Sequence, residues 1–160
     1  MNMNKSELKF RLCLLGWILL INLFLQFLHI EYGWIIFISN IMLFTMPGDI
    51  RKNIFTVEFG GMVGIIFAFL ALLCIGELET MMNSTAAVMI VLTAALSVLI
   101  LLNPRFPQFF NNIGFAYFTC AFINTTTFLG SFPAIVGTYI IGTAIFNGVA
   151  SLLVQRFLEQ

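Results

Sequence analysis

An all-α membrane protein, one domain over 1–160 with six transmembrane helices, is what three features of this sequence predict. The first is composition: 61% of the 160 residues are hydrophobic and only 9% are charged, where a soluble domain carries about 25% charged residues. The second is a series of apolar runs near the length, roughly 20 residues, that crosses a hydrocarbon core of about 30 Å. The third is the placement of the seven Lys and Arg residues, which gather between alternate runs. Strands would need an alternation that these runs lack, whereas helices satisfy their own backbone in lipid. The formal net charge is zero, so nothing draws the chain to polyanions and nucleic acid is not an expected partner.

The spans are expected at 12–30, 33–46, 55–76, 85–102, 108–127 and 132–155. Lys5, Lys9 and Arg11 before the first run also describe a signal peptide. The run nevertheless reaches spanning length and ends Phe27-Leu28-His29-Ile30-Glu31, with no small residue for cleavage, so it reads as a retained helix. The second span is short and carries Asn40. The third holds Glu58, the one carboxylate inside a predicted span, and the fourth is free of formal charge. The fifth is polar for a lipid helix, with Asn111, Asn112, Tyr117, Thr119, Asn124, Thr125, Thr126 and Thr127; the sixth carries Tyr139, Thr143 and Asn147.

Six helices put the N-terminus, Arg51 and Lys52, Arg105, and Arg156 on one side of the membrane. The other side receives His29 to Glu31, then Glu77 and Glu79, then Phe128 to Ser131, with no basic residue. Short loops rich in Lys and Arg stay cytoplasmic. The expectation is therefore a multi-pass protein of the bacterial inner membrane with both termini cytoplasmic, its lipid bilayer being its first partner.

The six spans divide into three plus three, each set with a polar middle member. Three is odd, so the halves would lie in opposite orientations, a recurring transporter design with binding near the midplane. Sliding the chain by 77 residues lays Gly60 on Gly137 and Phe69 on Phe146, with four identities in forty over 34–73 against 111–150. That is close to chance for so apolar a chain.

Gly60, Gly64 and Ala68 make a small-xxx-small stripe on the third helix, a face for close helix packing, whether within the chain or between copies. Glu58 has two readings. Placed about one turn from the cytoplasmic end, it would snorkel or pair with Arg51 or Lys52; alternatively, it is a vestibule charge or a proton-coupling carboxylate. Asn40, Asn111, Asn112, Tyr117, Thr119, Asn124, Tyr139, Thr143 and Asn147 would line a solute path with it, or else bond helix to helix. Uncharged donors and acceptors suit a small neutral or weakly anionic solute better than a divalent cation, which would want carboxylates.

His29 is alone, and Cys13, Cys74 and Cys120 have no CxxC spacing, so no metal or other cofactor is expected and the cysteines read as small packing residues. No GxSxG elbow, Walker A loop or dinucleotide glycine pattern is present, and no enzyme is expected.

Pro47-Gly48-Asp49-Ile50-Arg51-Lys52, followed by Gly60 and Gly64, resembles a family of small bacterial inner-membrane proteins known as domain of unknown function "ten ninety-seven". Asn112-Ile113-Gly114-Phe115, Phe132-Pro133 and Gly142 are similar to its second half. The resemblance covers most of the chain from Tyr32 onward and implies a small multi-span membrane protein, with no activity to carry over. A fainter similarity is to the His-Pro-Pro membrane family, some members of which are associated with nitrite transport. In place of its tripeptide, this chain has Asn103-Pro104 and Phe106-Pro107.

The leading expectation is a homo-oligomeric channel or facilitator for a small solute. The alternatives are a non-transporting scaffold or assembly subunit, or the substrate-binding subunit of an energy-coupling-factor importer. The first span lacks the AxxxA coupling motif that such subunits resemble one another in carrying.

Overall fold

The computed structural model describes residues 5–30, 32–123 and 125–158, and these form helices and connecting turns with no strand among them. In chain order the helices are α1 (Lys5–Phe27), α2 (Trp34–Thr45), α3 (Ile50–Glu79), α4 (Ser84–Leu102), α5 (Asn112–Ala121), α6 (Thr125–Gly130) and α7 (Phe132–Phe157). Four of them, α1, α3, α4 and α7, are long and apolar enough to cross a membrane. These are the marks of a helical membrane protein.

Two expected spans take a different form. The second is a helix of only 12 residues, about 18 Å at 1.5 Å per residue. The fifth is not one helix: Asn103 to Asn111 form turns, α5 has 10 residues, and α6 follows after an interruption that contains Asn124, which lies outside the described residues. Prolines at 104 and 107 account for the turns, since each removes a backbone donor and biases the residue before it away from helix.

Local chemistry sets several helix ends. Asp49 caps α3 by accepting from the Arg51 amide at 2.9 Å, after a turn in which Gly48 takes a φ of +97°. Asn83 caps α4 through the Ala86 amide at 2.8 Å. Asn111 caps α5 through the amides of Ile113 and Gly114. α1 ends where His29 adopts a φ of +53°, so that the Ile30 amide reaches back to the Leu25 carbonyl at 2.9 Å. That left-handed cap is a position usually given to glycine. The lone histidine thus has a backbone role.

α3 is the central element. Of its apolar window 44% is buried, against 11% for α1 and 17% for α4. It packs most extensively on α5 and also touches α2, α4, α6 and α7, whereas α1 has its main contact with α7. The outer faces of α1 and α4 carry exposed Leu12, Leu15, Leu19, Leu23, Ile90 and Ile100, as expected of surfaces that lipid covers. Cys13 and Cys74 are exposed with them, so the reading of all three cysteines as packing residues does not hold for these two.

The basic residues share one end of the bundle. A groove there brings Ser6 and Arg11 of α1 together with Phe44 of α2, Ile50 of α3 and Phe157 of α7. The turn after Arg105 reaches the same end: Phe109 lies 5.5 Å from Phe59, and the Asn111 side chain donates to the Thr56 carbonyl at 3.3 Å.

Candidate functional site

A chain of hydrogen bonds runs through the four central helices. Glu58, half-buried on α3, accepts from Thr143 Oγ1 at 2.6 Å and from Asn147 Nδ2 at 2.6 Å, both on α7. Asn147 Nδ2 also donates to Ser39 Oγ of α2 at 3.0 Å. Ser39 lies in turn against Tyr117 of α5, whose hydroxyl donates to the Ile35 carbonyl at 2.5 Å. Tyr139 completes the seam, its hydroxyl within reach of the Val57 and Glu58 carbonyls at 3.0 and 2.9 Å. The two tyrosine rings meet edge to face with centroids 5.2 Å apart.

The spacing explains why these side chains converge. Tyr139, Thr143 and Asn147 recur every four residues and so occupy one stripe of α7, all of them at most 1% exposed. Glu58 is therefore held by α7, not by the basic residues at the start of α3. The structure gives the carboxyl two neutral hydrogen-bond partners.

Glycines admit the close approaches that hold the seam together. A Cβ on Gly64 would sit 2.7 Å from the Gly114 Cα, so α3 and α5 touch backbone to backbone. One on Gly60 would meet the Asn111 side chain, and one on Gly61 would meet both tyrosines. On α7, Gly142 receives the tip of Ile36 from α2. The stripe Gly60, Gly64 and Ala68 thus packs within the chain, Ala68 being fully buried.

The remaining candidates are scattered. Asn40 on α2 is 4% exposed, and its Oδ1 has no partner among the described residues. Asn111 is engaged as a cap and against α3, while Asn112 and Thr119 are exposed, the latter bonded to its own helix at 2.8 Å. Asn124 lies outside the described residues. Ser39, Gly61, Gly114 and Ile36 belong to the seam without having been singled out by sequence. Gly114 stood inside a quoted motif, but a single serine in an apolar helix gives no signal.

Two cavities flank the seam. One, of about 420 Å³, lies away from the basic end and is lined by Tyr32, Trp34, Ile38, Cys120, Thr127 and Phe128 among others. The other, of about 440 Å³, is a groove between α3 and α7 that reaches Glu58 and Asn147. Among the described residues, no group of three or more His, Cys, Asp or Glu side chains could hold a metal ion. No family model, no curated protein and no solved structure matches the chain.

Proposed function

We propose that the chain is a membrane facilitator for a small neutral or weakly anionic solute, built of two halves that each cross the bilayer three times in opposite orientation. One observation carries this reading: a single offset relates two helix ends and several contacts. An offset of 78 takes Trp34, which opens α2, onto Asn112, which opens α5, and Glu79, which closes α3, onto Phe157, which closes α7. It takes α1 onto 83–105, the region of α4.

The same offset turns the Gly64–Gly114 contact into Gly142–Ile36, the close approach of α7 and α2. Two further contacts map onto themselves, Gly61 with Tyr139 and Ser39 with Tyr117. A residue that touches its own equivalent lies beside a two-fold axis. In an odd-crossing repeat that axis lies in the membrane plane, and the short second and fifth segments are those that meet there. Uncharged polar groups at the crossing favour a neutral or weakly anionic solute, and the apolar 420 Å³ cavity limits its size and polarity. Tyr117 and Tyr139 fill the crossing, both at most 1% exposed, which fits a gated path rather than a standing pore.

Reconstituted into proteoliposomes, the protein is expected to raise flux of at least one solute in a panel of small neutral and monoanionic compounds above that of empty vesicles. No flux for any of them would replace the facilitator with a scaffold. Basic residues gathered at one end support a cytoplasmic position for that end in a bacterial inner membrane. In a background with the native cysteines replaced, Glu79→Cys is expected to react with an impermeant maleimide from outside intact cells, and Arg51→Cys only after lysis. The reverse pattern would invert the topology.

A further inference from the structure

We propose that Glu58 is a reversible proton site, taking up and releasing one proton through the groove between α3 and α7. The proposal deepens the facilitator reading by assigning protons to its crossing, and rests on that reading's two-fold relation for two of its three supports.

The first support is an internal comparison. The offset of 78 pairs Glu58 with Val136, Thr143 with Ile65 and Asn147 with Phe69. The mates are all apolar: Ile65 is fully buried in the main core cluster, and Phe69 and Val136 pack against that cluster. The positions that the offset relates are therefore apolar in one case and carry a carboxyl, a hydroxyl and an amide in the other. Packing does not demand the polar set.

The second support is depth. Gly61 lies beside the axis, and Glu58 is three residues from it, about 4.5 Å along the helix. The carboxyl thus lies inside a hydrocarbon core about 30 Å thick, on the side nearer the basic end. A fixed charge there is costly, and a bound proton removes it.

The third support is a count of hydrogens that stands without the symmetry. Thr143 Oγ1 has one hydrogen and two neighbours, Glu58 Oε2 at 2.6 Å and the Tyr139 carbonyl at 2.5 Å. With Glu58 ionised, Thr143 donates to the carboxylate. With Glu58 neutral, Oε2–H donates to Thr143, which turns its hydrogen to the Tyr139 carbonyl. Asn147 Nδ2 supplies one hydrogen to Oε1 and one to Ser39 in both states. The proton can come and go with no heavy atom displaced. Asn147 Oδ1 is fully buried and without a partner among the described residues, an acceptor left over for an entering water.

The surrounding charges leave the site to itself. Arg51 and Lys52 lie seven and six residues from Glu58 on α3, and Arg156 lies nine beyond Asn147 on α7. α2, α4, α5 and α6 contain no Asp, Glu, Lys, Arg or His. α1 carries Lys5, Glu7, Lys9 and Arg11 in its first two turns, at the basic end. The phenols of Tyr117 and Tyr139 face the seam and donate to backbone carbonyls. The groove extends from Met62 and Ile140 past Glu58 toward Ile54 and Gly148, and so toward the basic end.

Infrared difference spectra of the purified protein across pH test this without any flux measurement. A protonated-carboxyl C=O band is expected to titrate, to be lost in Glu58→Gln, and to shift in frequency in Thr143→Val, which removes the hydroxyl and keeps the shape. A titrating spectrum in which Glu58→Gln removes nothing, or a band that Thr143→Val leaves in place, overturns the proposal; the second comparison suffices if Glu58→Gln fails to fold. Loss of the band when Na⁺ replaces K⁺ at constant pH would make this a sodium site and overturn it as well. A titrating Glu58 without flux keeps the proton site and defeats the facilitator; flux without a titrating Glu58 does the opposite.

Discussion

Gly64→Val leaves no folded protein to purify. The added Cβ would fall 2.7 Å from the Gly114 Cα and 2.8 Å from its carbonyl carbon. Both are backbone atoms in the first turn of α5, with no rotamer to turn aside. Overpacking a core commonly costs about 1–3 kcal/mol even when side chains can shift; here the helices themselves must part, and the cost lies at or beyond that range. α3 and α5 form the broadest contact in the molecule, so parting them takes the seam apart. The measurement is monodispersity on size exclusion in detergent, with thermal unfolding of whatever elutes. Gly142→Ala gives the contrast, because its added atom meets only the flexible tip of Ile36. It is expected to fold with a lowered melting temperature, which Ile36→Val partly restores. A Gly64→Val protein that elutes and melts as the parent does would mean that α3 and α5 do not meet at Gly114.

Asn147→Leu carries the next largest loss, about 2 kcal/mol. Its amide bonds both Glu58 and Ser39 from a fully buried position. Removing it leaves two acceptors on two other helices short of a donor, and orphaning a buried polar group costs about 1–3 kcal/mol. In membranes a single interhelical hydrogen bond averages about 0.6 kcal/mol, so the orphaned groups outweigh the lost bond. Thermal unfolding in detergent checks the magnitude, and a double-mutant cycle with Glu58→Val checks the cause. The double variant is expected to be more stable than Asn147→Leu alone, since no carboxyl then waits for a donor. Additive losses would mean that the two side chains act independently.

Hydropathy made the long helices legible, and the basic residues marked the end of the bundle they share. Helix breaks were less legible. The apolar run from Gln108 to Thr127 hides an interruption after Ala121, because hydropathy measures affinity for lipid and not continuity of the backbone. The glycine stripe on α3 was readable as a packing face, but its partner was not: Gly64 and Gly114 are fifty residues apart, and nothing local to either names the other. The same limit applies to Glu58. Its partners lie 85 and 89 residues along the chain, so a reading confined to neighbours in sequence turned to Arg51 and Lys52. The repeat was blurred for another reason. Identities are as few at an offset of 77 as at 78, so residue matching could not choose between them, whereas the paired contacts of the proposed halves favour 78.

That separation of Glu58 from Thr143 and Asn147 is also an interval of time. At roughly 5–20 residues per second of synthesis, the carboxyl enters the membrane on the order of ten seconds before the hydroxyl that will hold it exists. Gly60, Gly61 and Gly64 wait bare for α5 and α7 over the same interval. α2 and α3 cannot complete their packing alone, because their broadest partners, α7 and α5, come later in the chain. The nascent protein must therefore pass its early life as an open assembly whose one deep acid has no protein donor. A neutral, protonated Glu58 is the form in which lipid can harbour it until the chain closes.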